Sequence, residues 1–212
     1  VFKRWSTLFR NGFLPNRPFA ADYNSLDSAL WFAVRFWELQ QLAPDPALAQ
    51  TVVERLEELI AAYRSGSAGV QVQENGLLWD DNHDKALTWM DAKVDGKPVL
   101  DRSGYAVEIQ ALWYNLLRVT LELKYSLHDQ TFITEYRDLA TRVKQNFERL
   151  FWIESKGYLA DCVKADSRDE NMRANQIIAL YLPFQLLGKR NVKRVLTILD
   201  NELLTAVGPY TL

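Results

Sequence analysis

Hydrophobic residues recur along this chain at the spacing of an α-helix. The stretch from Ala47 to Tyr63 is the clearest case, because its apolar side chains return every three or four residues: Leu48, Val52, Val53, Leu56, Leu59, Ile60 and Tyr63. The pattern predicts seven helices, over residues 1–10, 24–42, 46–64, 104–126, 129–151, 172–187 and 189–204. Asn171 marks the start of the sixth helix, and Pro183 is expected to kink it.

The helices alternate in charge content. Residues 24–41 carry three charged side chains and 104–124 carry four, whereas 45–64 carry six and 129–150 carry eight. A helix that is apolar on most sides belongs in a core, and one with a single apolar stripe belongs outside. An inner–outer–inner–outer order is typical of an all-α layered toroid. An irregular helical bundle is the alternative and would give weaker alternation.

The connections between these helices alternate as well. Outer helices follow inner ones through short links, at Gln41 to Pro46, Tyr125 to Gln130 and Gly188. Inner helices follow outer ones through the long segments 65–103 and 152–171, which are rich in Trp, Asp and Asn. Long loops in compact domains are usually functional or disordered. Because both precede a buried helix, we expect their polar groups to meet at one end of the molecule.

Composition narrows the class of protein. The 25 basic and 27 acidic residues nearly cancel, without the basic excess usual in nucleic-acid-binding proteins. No apolar run approaches the roughly 18 residues of a membrane span, and the first residues lack the features of a signal peptide. Cys162 is the single cysteine, so no disulfide framework or thiolate metal cluster is expected. These features favour a soluble, cytoplasmic protein of unknown oligomeric state.

The stretch "ALTWMDAKVDGKPVLDR", residues 86–102, reads as a loop because of Asp95, Gly96 and Pro98. It nevertheless places Asp91 directly after two large apolar side chains, Trp89 and Met90. Either Asp91 is an ordinary surface acid beside a Trp that fills the core, or its carboxyl group is held in an apolar setting for a reason.

Polar residues collect at the starts of the buried helices. In "DYNSLDSALWF", Asn24, Asp27, Ser28 and Trp31 share a helix face, although capping by Asn24 or Ser25 explains the first residues equally well. Aromatic rings such as Trp31 fill cores and also stack on sugar faces.

The other two helix starts repeat this pattern. In "RSGYAVEIQALWYNLL", Glu108 and Asn115 lie on an otherwise apolar helix, and Arg102 is a candidate ion-pair partner for Glu108. In "DENMRANQIIALYLPF", the donors Arg173, Asn175 and Gln176 crowd the start of a helix. Asp161 precedes them in the short, strand-like "GYLADCV". Arg and amide side chains suit a hydroxyl-rich ligand, but a structural ion pair and a closed turn are the competing interpretations.

Several chemistries are not supported by the sequence. It contains no Gly-rich phosphate loop and no Ser–His–Asp set. Its two histidines, His83 and His128, lack spaced partners for a metal, and we expect His83 to be solvated. We therefore predict no metal and no cofactor. Carboxylate acid–base chemistry on a polyhydroxylated substrate remains.

Four stretches resemble, in order, the C-terminal glucosidase domain of glycogen debranching enzymes, the amylo-α-1,6-glucosidase family: "YNSLDSALWF", "LTWMDAKVDGKPVLDRSGYAVEIQALWYNLL", "GYLADCV" and "RANQIIALYLPF". The similarity runs from "NGFLPNRP" to "LLTAVGPYTL". The resemblance implies an (α/α)6 toroid and hydrolysis, with inversion, of the α-1,6-linked glucose left at a branch after transferase action. It also implies a glucan as the binding partner.

The resemblance assigns roles by position. Asp91, in Thr-Trp-Met-Asp, matches the family's general acid, whose pKa an apolar setting made by Trp89 and Met90 would raise. Trp31 and Trp89 are further candidates for contact with the sugar. The motif positions that line the family's sugar pocket are Asn24, Asp27, Arg102, Glu108, Asn115, Asp161, Arg173, Asn175 and Gln176.

The chain also departs from the family. Leu100-Asp101-Arg102 stands where Thr-Pro-Arg is common, and Arg173-Ala174-Asn175-Gln176 stands for Arg-Pro-Asn-Gln. Nothing matches the His-Gln-Gly segment that bears the catalytic base, and seven helices are fewer than the twelve of the toroid. We therefore expect residues 1–212 to be the N-terminal and middle part of one catalytic domain. Alone they would hydrolyse little substrate, and their exposed apolar helix flanks would favour association.

Two further functions stay open at this point. One is another toroid glycosidase, such as a neutral invertase, whose relatives share a Leu-Glu-Ile-Gln-Ala-Leu-like helix and an Asp before Leu-Trp-Trp. The other is a non-catalytic glycan-binding or scaffold module that lacks the base.

Overall fold

The computed structural model describes residues 1–17 and 22–210. Pro18, at the end of "NGFLPNRP", and Thr211 and Leu212, at the end of "LLTAVGPYTL", lie outside the described residues. The described part contains seven helices: α1 Phe2–Ser6, α2 Leu26–Leu42, α3 Pro46–Ser65, α4 Val107–Ser126, α5 Ile133–Phe151, α6 Asn175–Tyr181 and α7 Lys189–Glu202. Its strands are short: β1 Val70–Val72, β2 Leu78–Asp80, β3 Lys93–Val94, β4 Lys97–Pro98, β5 Tyr105–Ala106, β6 Trp152–Ile153, β7 Tyr158–Leu159, β8 Cys162–Val163, β9 Arg168–Asp169, β10 Leu204–Thr205 and β11 Gly208–Pro209.

All seven expected helices are present, although several are shorter than expected: α1 covers Phe2–Ser6 instead of residues 1–10, and α5 begins at Ile133 instead of residue 129. The changed bounds of the sixth and fourth helices have identifiable reasons. The sixth is α6, which ends at Tyr181 instead of bending at Pro183. Leu182 takes an extended conformation, as expected for residues close before a proline. The expected kink was therefore wrong, because Pro183 ends this helix. The fourth helix begins at Val107 because the preceding residues Tyr105 and Ala106 pair with β8.

The buried and exposed helices follow the expected order through α5. Within α4 only Arg118, Glu122, Tyr125 and Ser126 are outside the core, and this helix packs against α2, α3, α5 and α6. In contrast, α3 and α5 each bury one stripe. The fully buried Lys124, near the end of α4, is neutralised by Glu57 at 2.6 Å and Asp129 at 2.5 Å.

Local side chains cap the starts of α2 and α3. The hydroxyl of Ser25 accepts a hydrogen bond from the backbone N–H of Ser28 at the start of α2. Asp45 does the same for Leu48 at the start of α3, and Gly66 closes that helix in the left-handed conformation. The capping role foreseen for Asn24 or Ser25 therefore belongs to Ser25.

The two long loops contain most of the strands, all paired antiparallel. β1 pairs with β2 as a hairpin, and β5, β8 and β9 form a three-stranded sheet that joins the two loops. The strand-like character expected around Asp161 is confirmed by β7 and β8, which flank it. Gly104 lies where these pieces meet: its φ is +93°, and a Cβ there would come within 2.6 Å of the Val163 carbonyl oxygen.

Among residues 1–17 and 22–210, no helix is long and apolar enough to cross a membrane.

Candidate functional site

The starts of α2, α4 and α6 come together at one end of the molecule. The backbone N–H of Leu26 donates to the Leu87 carbonyl at 2.8 Å, and that of Val107 donates to the Asp161 carbonyl at 3.0 Å. The Asn175 side chain at the start of α6 bonds the Asp161 carboxylate at 2.6 Å. Residues from both long loops therefore lie over three buried helix starts, as expected from the loop pattern.

Arg102 is the centre of this region. Its Nη2 donates to Glu108 Oε2 at 2.6 Å, and its Nη1 bonds the other oxygen of the same carboxylate. On the opposite side, Nε and Nη2 donate to the Asp161 carboxylate at 2.8 and 3.1 Å. All three side chains are buried. Burial opposes the guanidinium charge, but the two carboxylates outweigh it and raise the pKa of Arg102.

A second cation balances this cluster. Two buried carboxylates facing one guanidinium leave an excess negative charge, and Arg173 Nη1 supplies the compensation at 3.0 Å from Asp161. The same nitrogen lies 2.6 Å from Asp169. Burial acts to raise the pKa of Asp169, but the Asn171 N–H and Arg173 outweigh it and lower this pKa. The ion pair considered for Arg102 and Glu108 is present, and it belongs to a larger network that includes Asp161 and Arg173.

Asn175 connects the network to the segment that carries Asp91. Its side-chain oxygen accepts from the Trp89 indole N–H at 2.9 Å, while its Nδ2 lies 3.1 Å from the Met90 sulfur. One position earlier, the Thr88 hydroxyl accepts from Arg102 Nη1 at 3.2 Å. Three consecutive side chains before Asp91 are therefore tied to buried groups.

Asp91 itself is exposed. Trp89 and Met90 turn toward Asn175, so they do not enclose the carboxylate, and its oxygens accept no hydrogen bond from the described residues. The expectation that these two side chains surround Asp91 with apolar atoms was wrong for this structure, because the Asn175 amide fixes them in another direction. Trp89 remains 42% exposed, so part of its ring lies open near Asp91.

The start of α2 contributes a second acid. Asp27 is buried and accepts from the Ser25 hydroxyl at 2.6 Å. Burial raises the pKa of Asp27, the Ser25 hydrogen bond partly offsets this, and the charge of Glu108 adds to the rise. Asn24 is exposed just ahead of the cap. Trp31 is partly exposed, with the Arg35 guanidinium 4.7 Å above its ring.

Two candidates have structural partners. Asn115 accepts from the Phe184 N–H at 2.9 Å and donates to the Phe184 carbonyl at 3.0 Å. Gln176 accepts from the Leu159 N–H at 3.1 Å and donates to the Arg173 carbonyl at 3.3 Å. Both are fully buried. Contact with a sugar stays a prediction for each, but their polar atoms already hold backbone in place.

Sequence reasoning missed Thr88 and the cluster around Asp101. His83 is exposed, as expected, and its Nδ1 lies 2.8 Å from the Ser103 hydroxyl and 3.3 Å from Asp101. Because both partners meet the same ring nitrogen, the trio cannot relay a proton as a hydrolase triad does. Lys164 bonds Asp101 at 2.6 Å. In the sequence, only the closeness of Asp101 to Arg102 pointed toward this cluster.

Neither thiol nor metal chemistry has support in the described part of the chain. Burial raises the pKa of Cys162 to about 12, so its thiol stays protonated near neutrality. No group of three or more His, Cys, Asp or Glu residues in the described ranges is arranged to hold a metal ion.

Two solved structures share this fold. A rhamnosidase from Klebsiella oxytoca with rhamnose bound matches with a TM-score of 0.67 at 14% identity, over 95% of this chain and 36% of its own. A GH78 family rhamnosidase from Bacillus sp. GL1 matches with a TM-score of 0.64 at 15% identity, over 83% of this chain. This chain spans 17% of the length of the Bacillus enzyme. At such identities the likeness concerns the fold alone.

Comparison by sequence gives the family. No curated protein matches the chain, but the family model described as amylo-alpha-1,6-glucosidase matches residues 1–212. The motifs that carry the resemblance, including the Asp91 segment and the residues of the Arg102 network, lie within this match. The chain belongs to the amylo-alpha-1,6-glucosidase family.

Proposed function

We propose that this chain supplies the acid side of a glycoside hydrolase site that removes α-1,6-linked glucose from glycogen-like glucans. Asp91 protonates the glycosidic oxygen as the bond to the sugar breaks. In an inverting reaction a second carboxylate, about 6.5–9.5 Å from the first, activates the attacking water. No residue of this chain is assigned that second role.

The observation that carries this proposal is the contrast between Asp91 and the residues before it. A general acid must reach the leaving oxygen, and it must be held in a reactive position. Asp91 is exposed, while Thr88, Trp89 and Met90 are bound to the buried groups Arg102 and Asn175. A free carboxylate on a fixed segment satisfies both requirements. When the sugar binds, it shields the Asp91 carboxyl group from water, which Trp89 and Met90 do not do.

The fold fits the same proposal. We propose that α2, α4 and α6 are inner helices of an (α/α)6 toroid whose helix starts face the substrate. The deep burial of α4 and the single stripes of α3 and α5 support this assignment. Residues 1–212 then belong to one catalytic domain. Asn24, Trp31 and Trp89, which keep exposed surface, are the proposed contacts with glucose.

Substrate preference and product stereochemistry test this function. The native protein is incubated with a branched limit dextrin and, separately, with sucrose, and the first product is followed by proton NMR. The proposal expects β-glucose from the dextrin and no cleavage of sucrose. Preferential cleavage of sucrose would favour a neutral-invertase-like enzyme, and α-glucose as first product would contradict inversion.

A glycan-binding module is the second candidate. It is favoured by one observation: the buried acids Asp27, Glu108 and Asp161 are all held by hydrogen bonds, so none of them is free to activate a water molecule. We propose that residues 1–212 alone bind maltooligosaccharides without turnover, as checked by calorimetry and glucose assay on the same sample. Glucose release by residues 1–212 alone would show that a base is present among them.

A further inference from the structure

A cleft lies beside the β1–β2 hairpin, and neither Arg102 nor Asp161 lines it. It is open, with a volume of about 610 Å³, and its walls combine aromatic rings with polar side chains. The side chains used below are Gln71, Gln73, Trp79, Asp81, Tyr105 and Lys164. None of them takes part in the hydrogen bonds that hold Arg102, Asp161 and Asn175.

Strand alternation explains why these residues share one wall. Successive side chains of a strand point to opposite faces, and in this hairpin Val70, Leu78 and Asp80 are buried. Trp79 pairs directly with Gln71 across the hairpin, so both lie on the outward face. Gln73 lies two residues after Gln71, and Asp81 lies two residues after Trp79, so both continue that outward face.

The aromatic part of the wall is held in a defined orientation. The Trp79 and Tyr105 rings meet edge to face, with centroids 4.9 Å apart and an angle of 79°. The Tyr105 hydroxyl accepts from the Asn75 amide at 3.1 Å, which anchors the second ring. Both residues are partly exposed. The cleft therefore offers a fixed aromatic surface rather than a mobile side chain.

The polar part of the wall is available for a ligand. Gln71 and Gln73 make no side-chain hydrogen bond to any described residue, and each amide can both donate and accept. The Asp81 side chain is 73% exposed. Lys164 is neutralised by Asp101 at 2.6 Å, so the cleft does not favour an anion. A neutral, hydroxyl-rich ligand with a flat apolar face fits this set.

We propose that this cleft is a second carbohydrate-binding site, which holds a chain segment of an α-glucan apart from the Asp91 site. The C–H face of one pyranose ring packs on Trp79. The negative π face of the indole attracts the weakly positive C–H groups of the sugar. Gln71 and Gln73 bond the hydroxyls at the edge of the sugar. The choice of an α-glucan rests on the proposed function, whereas a sugar-binding cleft follows from its own lining.

Tryptophan indole signals test this proposal, because each site has its own reporter. Maltoheptaose is titrated into the isotope-labelled protein, and the indole N–H resonances of the seven tryptophans are followed by NMR. The Trp79 resonance, assigned by its loss in Trp79→Phe, is expected to shift with saturation. The resonance of Trp152, which contacts Arg194 and Glu154 elsewhere, should stay in place.

The possible results separate this inference from the proposed function. Shifts of Trp31 and Trp89 without Trp79 would overturn the second site and leave the Asp91 site standing. A shift of Trp79 without Trp31 or Trp89 would support the second site and count against a sugar pocket at Asp91. No shift at any tryptophan would overturn the second site.

Variants check which groups bind the sugar. Trp79→Ala should abolish saturable binding of maltoheptaose at this cleft, as followed by the Gln71 and Gln73 amide resonances. The double variant Gln71→Ala/Gln73→Ala, which keeps the indole, should weaken binding by at least about fivefold, because it removes two neutral hydrogen bonds to the sugar. Unchanged affinity in the double variant would contradict the assigned role of the amides, and Trp152→Ala is the matched control.

Discussion

Arg102 faces two buried carboxylates with one guanidinium, and its removal leaves both charges without their main partner. Breaking a buried ion pair by deleting one member costs about 3–5 kcal/mol, far more than the loss of a surface pair. We expect Arg102→Met to lower the free energy of unfolding by about that amount in a denaturant titration at neutral pH.

The matched control is Arg55→Ala, which deletes an exposed pair with Glu58 at 2.8 Å. Surface pairs contribute about 0–1 kcal/mol, so this variant should change stability little. Equal effects of the Arg102 and Arg55 substitutions would contradict the structural role of the network.

Asp27 makes stability depend on pH in a defined direction. Burial raises its folded pKa above the ordinary value of 3.8, so the folded state keeps this proton to higher pH than the unfolded chain does. The associated stabilisation is complete below about pH 3.8, and it is lost as pH rises through the raised pKa. Asp27→Asn removes this pH-dependent loss of stability, and its side chain still offers an acceptor to the Ser25 hydroxyl.

Stability of the Asp27→Asn variant relative to the native sequence should therefore improve as pH rises from acid to neutral. Paired denaturant titrations across that range measure the difference. A difference that stays constant, or that moves in the native sequence's favour with rising pH, would contradict the raised pKa.

For individual residues, the sequence identified the residue types of the site better than the contacts between them. The pair of Arg102 and Glu108 was foreseen because a buried acid needs a partner. The contacts of Asn115 with Phe184 and of Gln176 with Leu159 were not foreseen, since backbone groups leave no mark in composition or spacing. The turn closed by Gln176 at the Arg173 carbonyl was one of the competing interpretations, and it is present. The direction of Trp89 was misjudged because it depends on Asn175, which is distant in sequence.

At the scale of elements, Asn115 joins α4 to the segment after α6. Asn115→Ala leaves the partly buried N–H and carbonyl of Phe184 without their partner, at up to about 1–3 kcal/mol for each unsatisfied group. We expect faster hydrogen exchange around Phe184 and lower stability. Weaker glucan binding with unchanged stability would instead favour direct contact with the sugar.

Helices were predictable and most strands were not. A helix such as α3 repeats its apolar spacing over 20 residues, and Asp45, Pro46 and Gly66 mark its ends. Pairs such as β5 with β8 span two residues each, which is too short for an alternating pattern to be recognised. Their pairing depends on Gly104 and on contacts between two loops that are far apart in sequence.

At the scale of the whole molecule, apolar surface gathers near the last helix. Leu196 is 49% exposed, Leu204 55%, Val207 99% and Tyr210 61%. Such a patch favours association, so residues 1–212 should form concentration-dependent oligomers in light scattering after size exclusion. Leu196→Glu combined with Val207→Glu should shift them toward the monomer, whereas Leu42→Glu, at an 86% exposed site elsewhere, should not. A monomer at all concentrations would contradict this expectation.

Glucose release from a branched limit dextrin by the native protein is the measurement that decides the role of Asp91. Asp91→Asn keeps the size of the side chain but removes the acid, and a positioned general acid contributes roughly 10²–10⁴-fold to rate. The control is Asp95→Asn, an exposed acid of the same loop whose φ of 50° suits Asn. We expect at least a hundredfold loss of activity for Asp91→Asn with native stability, and near-native activity for Asp95→Asn. Retained glucose release in a folded Asp91→Asn protein would contradict this role of Asp91.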